Sequence, residues 1–282
     1  MEITYIPEFG KYSAYASELI SLKHKIRRIV QISIYSQDEF SSLKKFAKRY
    51  DWIVLKSQFK FDAKELERGR VEKIEVADKR KGLFHVFIFD PKGLVFTQIG
   101  DKELGELMSY PSCCIKSYMR HIYSNNIFKC INIEGDFHFN HLINPFIKYV
   151  SNAHIINHLP CSLNCKKSFK LAKAICKIMI ENYPSFYEKI YNYSHYPILI
   201  FSKSESDSAF KEKPDIVIFR GHFNKKRIVY NNIFTTNNNL YKLFKFGNNV
   251  SISKRHVRVF YDNKLIYHIN REEKASAFLF PY

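Results

Sequence analysis

Two cysteine pairs, the vicinal Cys113-Cys114 and the spaced Cys161-x-x-x-Cys165, constrain this chain more than any other feature. Both stand beside expected helix starts. Ser109-Tyr-Pro-Ser112 opens a helix that carries Cys113 and Cys114 towards Tyr123. Pro160-Cys161-Ser162, with Ser162 as N-cap, opens a longer one, on which Leu171, Ala172, Ile175, Met179 and Ile180 recur at helical spacing until Asn182-Tyr183-Pro184. Unpaired amides and the positive end of the helix dipole favour the thiolate there, the form that binds metal or attacks electrophiles. Cys161 and Cys165 fall on one face of a regular first turn, whereas Cys113 and Cys114 diverge by about 100° and need a tight local geometry to serve one centre. If the helix starts converge, four thiolates suit an iron–sulfur cluster or tetrahedral zinc. The vicinal pair ranks iron–sulfur first, because adjacent cysteines can address different irons but make an awkward zinc knuckle; zinc ranks second and a redox dithiol third.

Cysteine is also a common small buried hydrophobe. Cys176, on the apolar face with Ile175 and Met179, is read as core, while Cys130, in a loop beside Lys129, is a candidate fifth ligand or substrate-facing thiol. His158 precedes Cys161 by three residues, with Pro160 restraining the backbone between them. It is a candidate ligand, hydrogen-bond donor to sulfur or acid/base group, against a helix-entry histidine bonded to backbone. In Asp136-Phe-His138-Phe-Asn-His141, an extended backbone sets Asp136 and His138 on one face, as a general base with its orienting carboxylate; the competing reading is a loop with scattered histidines.

Vicinal-plus-spaced pairs resemble in part the Cys-Cys-Gly iron–sulfur domains and the vicinal-cysteine epoxyqueuosine reductases, without the full motif of either. Tyr110-Pro-x-Cys-Cys114, Asn144-Pro145 and His158-x-Pro-Cys-x-x-x-Cys165 together are similar to an archaeal and bacterial family catalogued as domain of unknown function 483. Its members carry Gly-Tyr-Pro-x-Cys-Cys and His-x-Pro-Cys-Ser-x-x-Cys segments, and Ser109 stands here in place of the glycine. The resemblance covers roughly residues 104–180. It implies a shared site of Cys113, Cys114, Cys161, Cys165 and His158, and supplies no reaction.

The remainder of the chain reads as α+β. A hydrophobic share of 46% is enough to bury a core, and only 9 Gly and 9 Pro exclude collagen-like and Pro/Gly-rich classes. Residues 1–100 read as a small α/β unit. Strands are expected at Ile29–Ile34 and Trp52–Leu55, and the capping box Ser36-Gln-Asp-Glu39 starts a helix running to about Arg49. A hairpin is expected between Phe84–Phe89 and Leu94–Ile99 around Asp90-Pro-Lys-Gly93. Residues 101–195 form a helical cysteine-motif region, with a loop-like stretch from Asn125 to Pro145. Residues 196–282 form a basic antiparallel β lobe, with strands at Asp215–Phe219, Arg227–Tyr230 and His256–Tyr261, and an Asp262-Asn263 turn into Leu265–Ile269. There is no G-x-G-x-x-G, Walker A, G-x-S-x-G or H-E-x-x-H motif. Pro214-Asp215 before a strand is not followed by the Glu-x-Lys of nuclease cores.

The formal charge of +18 is uneven: residues 211–282 hold 14 Lys/Arg against 5 Asp/Glu, half of the whole excess. Between residues 219 and 261 cations alternate with aromatics, as in single-stranded nucleic-acid or tRNA binders. Period-2 alternation in a half-buried sheet, with rings inward and cations outward, produces the same pattern and is the favoured reading. No apolar run reaches membrane-span length, and Met1-Glu2-Ile3-Thr4-Tyr5 lacks a secretory leader, so a cytoplasmic, membrane-free protein is expected. The leading expectation is an iron–sulfur or metal-dependent enzyme acting on a small molecule, peptide or tRNA. Its rivals are a zinc-stapled nucleic-acid-binding protein and a non-metallic enzyme with a cysteine nucleophile.

Overall fold

The computed structural model describes residues 5–62, 73–75, 82–91, 100–121, 137–147, 154–201, 215–224, 227–235, 238–253, 255–270 and 277–281. Its N-terminal half is organised by a split βαβ unit. Strand β1 (Ile29–Ile34) leads into helix α2 (Gln37–Lys48), which follows α1 (Ala16–Lys23), and the chain returns as β2 (Ile53–Asp62). The expected capping box starts α2: the Glu39 amide donates to Ser36 Oγ at 3.1 Å, and the Glu39 carboxylate accepts from the amide of Tyr35, one residue before the cap. Phe40, Leu43, Phe46 and Ala47 recur at helical spacing and face the core. Beyond Asp51, in the left-handed region at φ 57°, Trp52 stacks on Tyr50 with centroids 4.4 Å apart.

Strand β4 (Gly82–Phe89) lies between β1 and β2 and is antiparallel to both, and the short β3 (Lys73–Glu75) completes the order β1-β4-β2-β3. The second strand of the expected hairpin, residues 94–99, lies outside the described residues; the described partners of Phe84–Phe89 are β1 on one edge and β2 on the other. A turn signal next to a strand identifies a bend but not the strand's partners.

The core beneath this sheet continues into the helical region. Val30, Ile32, Leu43 and Val86 share one buried cluster with Ala172, Ile175, Cys176 and Met179 of α5 (Lys166–Asn182), and with Phe186 and Ile190 of α6 (Pro184–Ser194). Cys176 is a core residue, as expected. Two further helices, α3 (Asp101–Leu107) and α4 (Ser112–His121), lead to the cysteines.

The C-terminal sheet has eight strands in the order β11-β10-β9-β8-β7-β6-β12-β5. Six consecutive strands form an antiparallel meander: β6 (Ile198–Phe201), β7 (Asp215–Asn224), β8 (Arg227–Thr235), β9 (Asn249–Ile252), β10 (His256–Tyr261) and β11 (Lys264–Asn270). The Asp262-Asn263 turn is present, with φ of 45° and 68°, as a type I′ hairpin turn requires. At the bulge between β7 and β8, Gly221 lets two backbones approach so closely that a Cβ would lie 1.9 Å from the Val229 carbonyl oxygen. β12 (Ala277–Pro281) pairs antiparallel with β6 and parallel with β5 (Phe137–Phe139).

One face of the meander buries Phe219, Tyr230, Val250, Val257 and Val259 against Leu240 and Phe244 of α7 (Asn238–Phe244). On the other face Ile198, Ile200, Ile216 and Ile218 pack on Phe139, Phe146 and Leu163. Among the described residues no helix is long and apolar enough to cross a membrane.

Candidate metal centre

The approach to the first cysteine pair is set by the end of α3. The amides of Ser109 and Tyr110 donate to the carbonyls of Glu106 and Gly105, both at about 3 Å (2.9 and 3.0 Å), and Ser109 itself sits at φ 59°. This is a Schellman ending, whose left-handed residue is usually glycine. Ser109 is therefore the exit of one helix rather than the entry of the next, which explains why the related pattern has glycine there. Pro111 then precedes α4, and its carbonyl accepts from the amides of Cys114 and Ile115 at 2.8 and 3.0 Å, placing Cys113 and Cys114 in the first turn.

The second pair corrects an expectation. The N-cap of α5 is Cys165, whose Sγ accepts from the Ser168 amide at 3.5 Å, not Ser162. Ser162 instead shapes the preceding turn: its Oγ accepts from the Asn164 amide and its carbonyl from the Cys165 amide. Cys161 thus lies in that turn rather than on the helix, and the turn, not a shared helical face, brings the two sulfurs together.

The four sulfurs converge. Cys113 Sγ stands 3.9 Å from Cys114 Sγ and 3.6 Å from Cys165 Sγ, and Cys114 and Cys165 are 3.7 Å apart. All four, Cys161 included, lie within 4.8 Å of one another. A tetrahedral ion with metal–sulfur bonds of about 2.3 Å has an S···S edge of about 3.8 Å, so the set fits the coordination shell of a single ion. Four clustered cysteines of this kind can bind a metal. Cys114 and Cys165 are buried, and Cys113 and Cys161 are half-buried.

Burial pushes the Cys114 thiol up to about 12 and the Cys161 thiol up as well, each raised further by neighbouring sulfurs. Burial acts in the same direction on Cys165, but hydrogen bonds from the Ser168 hydroxyl and amide and from Cys113 and Cys161 more than offset it and bring this thiol down to about 7. Cys165 is thus the thiol of the set most favoured to ionise, and gathering further thiolates beside it needs a cation to compensate their charge.

His158 is 5% exposed and stands one hydrogen bond outside the sulfur set. Its Nε2 is 2.8 Å from Ser168 Oγ, which lies 3.2 Å from Cys114 Sγ, so the imidazole reaches the sulfurs through a hydroxyl. Sequence reasoning missed Ser168, although a serine three residues after an N-cap is the position from which a side chain reaches back to the cap. It also missed the buried surroundings. The Tyr110 ring lies 5.0 Å from that of His158, and the Arg27 guanidinium, 2% exposed, sits 5.4 Å over Tyr110. Burial holds the Tyr110 hydroxyl at about 12. Nearby, His154 Nε2 pairs with Glu18 Oε1 at 2.6 Å, both side chains buried.

His138 is exposed on β5 and is not in the four-sulfur group; its carbonyl accepts from the Asn164 side chain at 3.3 Å. Asp136, its expected partner, and Cys130 lie outside the described residues.

The family model described as a protein of unknown function (DUF483) matches residues 73–192, a span that contains both cysteine pairs, His158 and Ser168. No curated protein and no solved structure matches the chain.

Proposed function

We propose that Cys113, Cys114, Cys161 and Cys165 hold one tetrahedral zinc ion as a structural clamp, making this a zinc-stapled protein rather than an iron–sulfur enzyme. The observation that carries the reading is the spacing of the Cys113, Cys114 and Cys165 sulfurs, 3.6 to 3.9 Å, the edge of a tetrahedron around a single ion, with the Cys161 sulfur within 4.8 Å of all three. A cluster, in which each thiolate bonds its own iron or shares one of several, needs its sulfurs spread wider than this set. Four protein ligands leave no open coordination position, which is the structural rather than the catalytic pattern. Thiolate ligands at the starts of α4 and α5 gain from both helix dipoles, and Ser168 and the Cys161 amide donate hydrogen bonds to sulfur around the set. The clamp joins α4 to α5, and through Leu163, between its two later ligands, it reaches the C-terminal sheet.

A second reading draws on Cys165, the thiol held near 7, whose sulfur lies 3.7 Å from Cys114 Sγ, and on the chain from Cys114 through Ser168 to His158: a metal-free thiol enzyme with Cys165 as nucleophile and His158 as the proton acceptor at the end of that chain. Metal analysis of anaerobically purified protein separates the two. One zinc per chain in colourless protein, lost together with the fold in Cys113→Ser, supports the clamp. Brown protein with iron and sulfide, or metal-free protein that folds normally and reacts at Cys165, overturns it.

A further inference from the structure

The face of the meander turned away from α7 carries a second, independent feature. Ile228, Tyr230, Val250, Val257 and Val259 point to the core, so their sequence neighbours point outward. The strand registers align these outward residues into two adjacent rows, Arg227–Ser251–Arg258 and Val229–Asn249–Phe260. Arg227 and Arg258 are exposed, two strand spacings or about 9.5 Å apart. The Arg227 guanidinium lies 5.4 Å over the ring of Phe260, and Val229 beside them is 43% exposed.

The simple alternation reading requires rings inside and cations outside. Phe219 and Tyr230 obey it, but Phe260 is on the outer face with the arginines. Neither row contains an acid. From residue 215 to residue 270 the chain has ten Lys/Arg and two acids, Asp215 and Asp262, and Asp262 sits in the hairpin turn, bonded to the Asn248 amide group at 2.7 Å. Among the described residues no carboxylate pairs with Arg227 or Arg258. The complement of this face is a chain with regularly spaced negative charges and flat apolar faces between them.

We propose that this face binds single-stranded nucleic acid, with phosphates on Arg227 and Arg258 and an unpaired base stacked on Phe260. A duplex keeps its bases stacked inside and offers the arginines only phosphate, leaving the ring unused. The proposal does not depend on the identity of the metal.

Fluorescence anisotropy of the full-length, metal-loaded protein with labelled oligouridine, and with duplex RNA of the same length, across a salt series, tests it. The single strand binds more tightly than the duplex, with affinity falling steeply as salt rises. Phe260→Ala weakens single-strand binding about ten- to hundredfold and leaves the salt slope unchanged. Arg227→Gln with Arg258→Gln lowers the slope by about 0.7 for each arginine. The arginines are exposed, so thermal unfolding is unaffected by their replacement; Phe260→Leu, which keeps an apolar side chain, replaces the alanine variant if that one unfolds. Absence of binding at low salt overturns the proposal. So does equal affinity for duplex and single strand with no effect at Phe260, the signature of charge alone.

Discussion

The four-sulfur knot and the meander β6–β11 are built by opposite means. In the meander, strands that follow one another in sequence pair with one another, and the backbone ladder with alternating side chains sets every position. No single side chain carries the arrangement. In the knot, residues 47 to 52 apart are brought together by a left-handed Ser109, a turn at Ser162 and a cysteine N-cap, and their side chains touch within 4 Å. Placement there depends on a few atoms whose crowding is unfavourable unless a cation neutralises the thiolates. A ladder degrades by increments, whereas a metal knot is present or absent.

Breaking the knot is the largest test of that contrast. Removing the metal with a chelator, or replacing Cys113 or Cys165 with serine, is expected to lower the thermal midpoint by about 10 to 20 °C or abolish the cooperative transition, since metal binding is part of the folding free energy. Calorimetry with metal content measured on the same samples checks it; a midpoint within a degree or two of the wild type means the sulfurs are not a clamp. Leu163→Ala probes the joint between the two regions. It empties a site lined by Ile198, Ile200, Ile216 and Ile218, and costs about 2 to 5 kcal/mol in denaturant unfolding with the metal retained. Ser168→Ala is smaller. It removes the hydroxyl between His158 and Cys114 inside a buried site and is expected to cost about 1 to 3 kcal/mol. Ser109→Gly is smallest and has the opposite sign: relieving the left-handed serine should raise stability by about 1 kcal/mol, and a loss would mean that the Ser109 side chain does something else.

Legibility followed the same division. The strands β7, β8, β10 and β11 and the Asp262-Asn263 turn were readable because alternation and turn chemistry are local, and the capping box of α2 was readable for the same reason; the short β9 and α7 between them were not. The cysteines were readable as a group because their residue types are uncommon in such spacings. Their exact roles were not. Ser162 has the better N-cap chemistry, yet Cys165 caps α5, because the turn at Ser162 places Cys165 at the first free amides. The pairing of β4 with β1, the hydrogen-bonded contact of His154 with Glu18 and the seating of Arg27 over Tyr110 join residues 50 or more positions apart. Such pairings are chosen by the packing of the whole core and leave no mark in a window of sequence. The rank of iron–sulfur over zinc came from sequence spacing alone, which carries no information on the distances between the sulfurs, the quantity on which the zinc proposal rests.

The position of β12 has a consequence for how the molecule is made. Residues 277–281 are synthesised after every other described strand of this sheet, yet they lie inside it, between β6 and β5, not at its margin. Until they are synthesised, β5 lacks the one strand it pairs with among the described residues, and the edge of β6 that receives β12 is unpaired by any other described strand. The cysteine turn and α5, in contrast, are complete about a hundred residues earlier, in time to hold the body while the sheet waits. A chain made up to that point carries all four cysteines of the knot but an incomplete sheet, and the edge that awaits β12 is where a chaperone, or a neighbouring chain, would first find it.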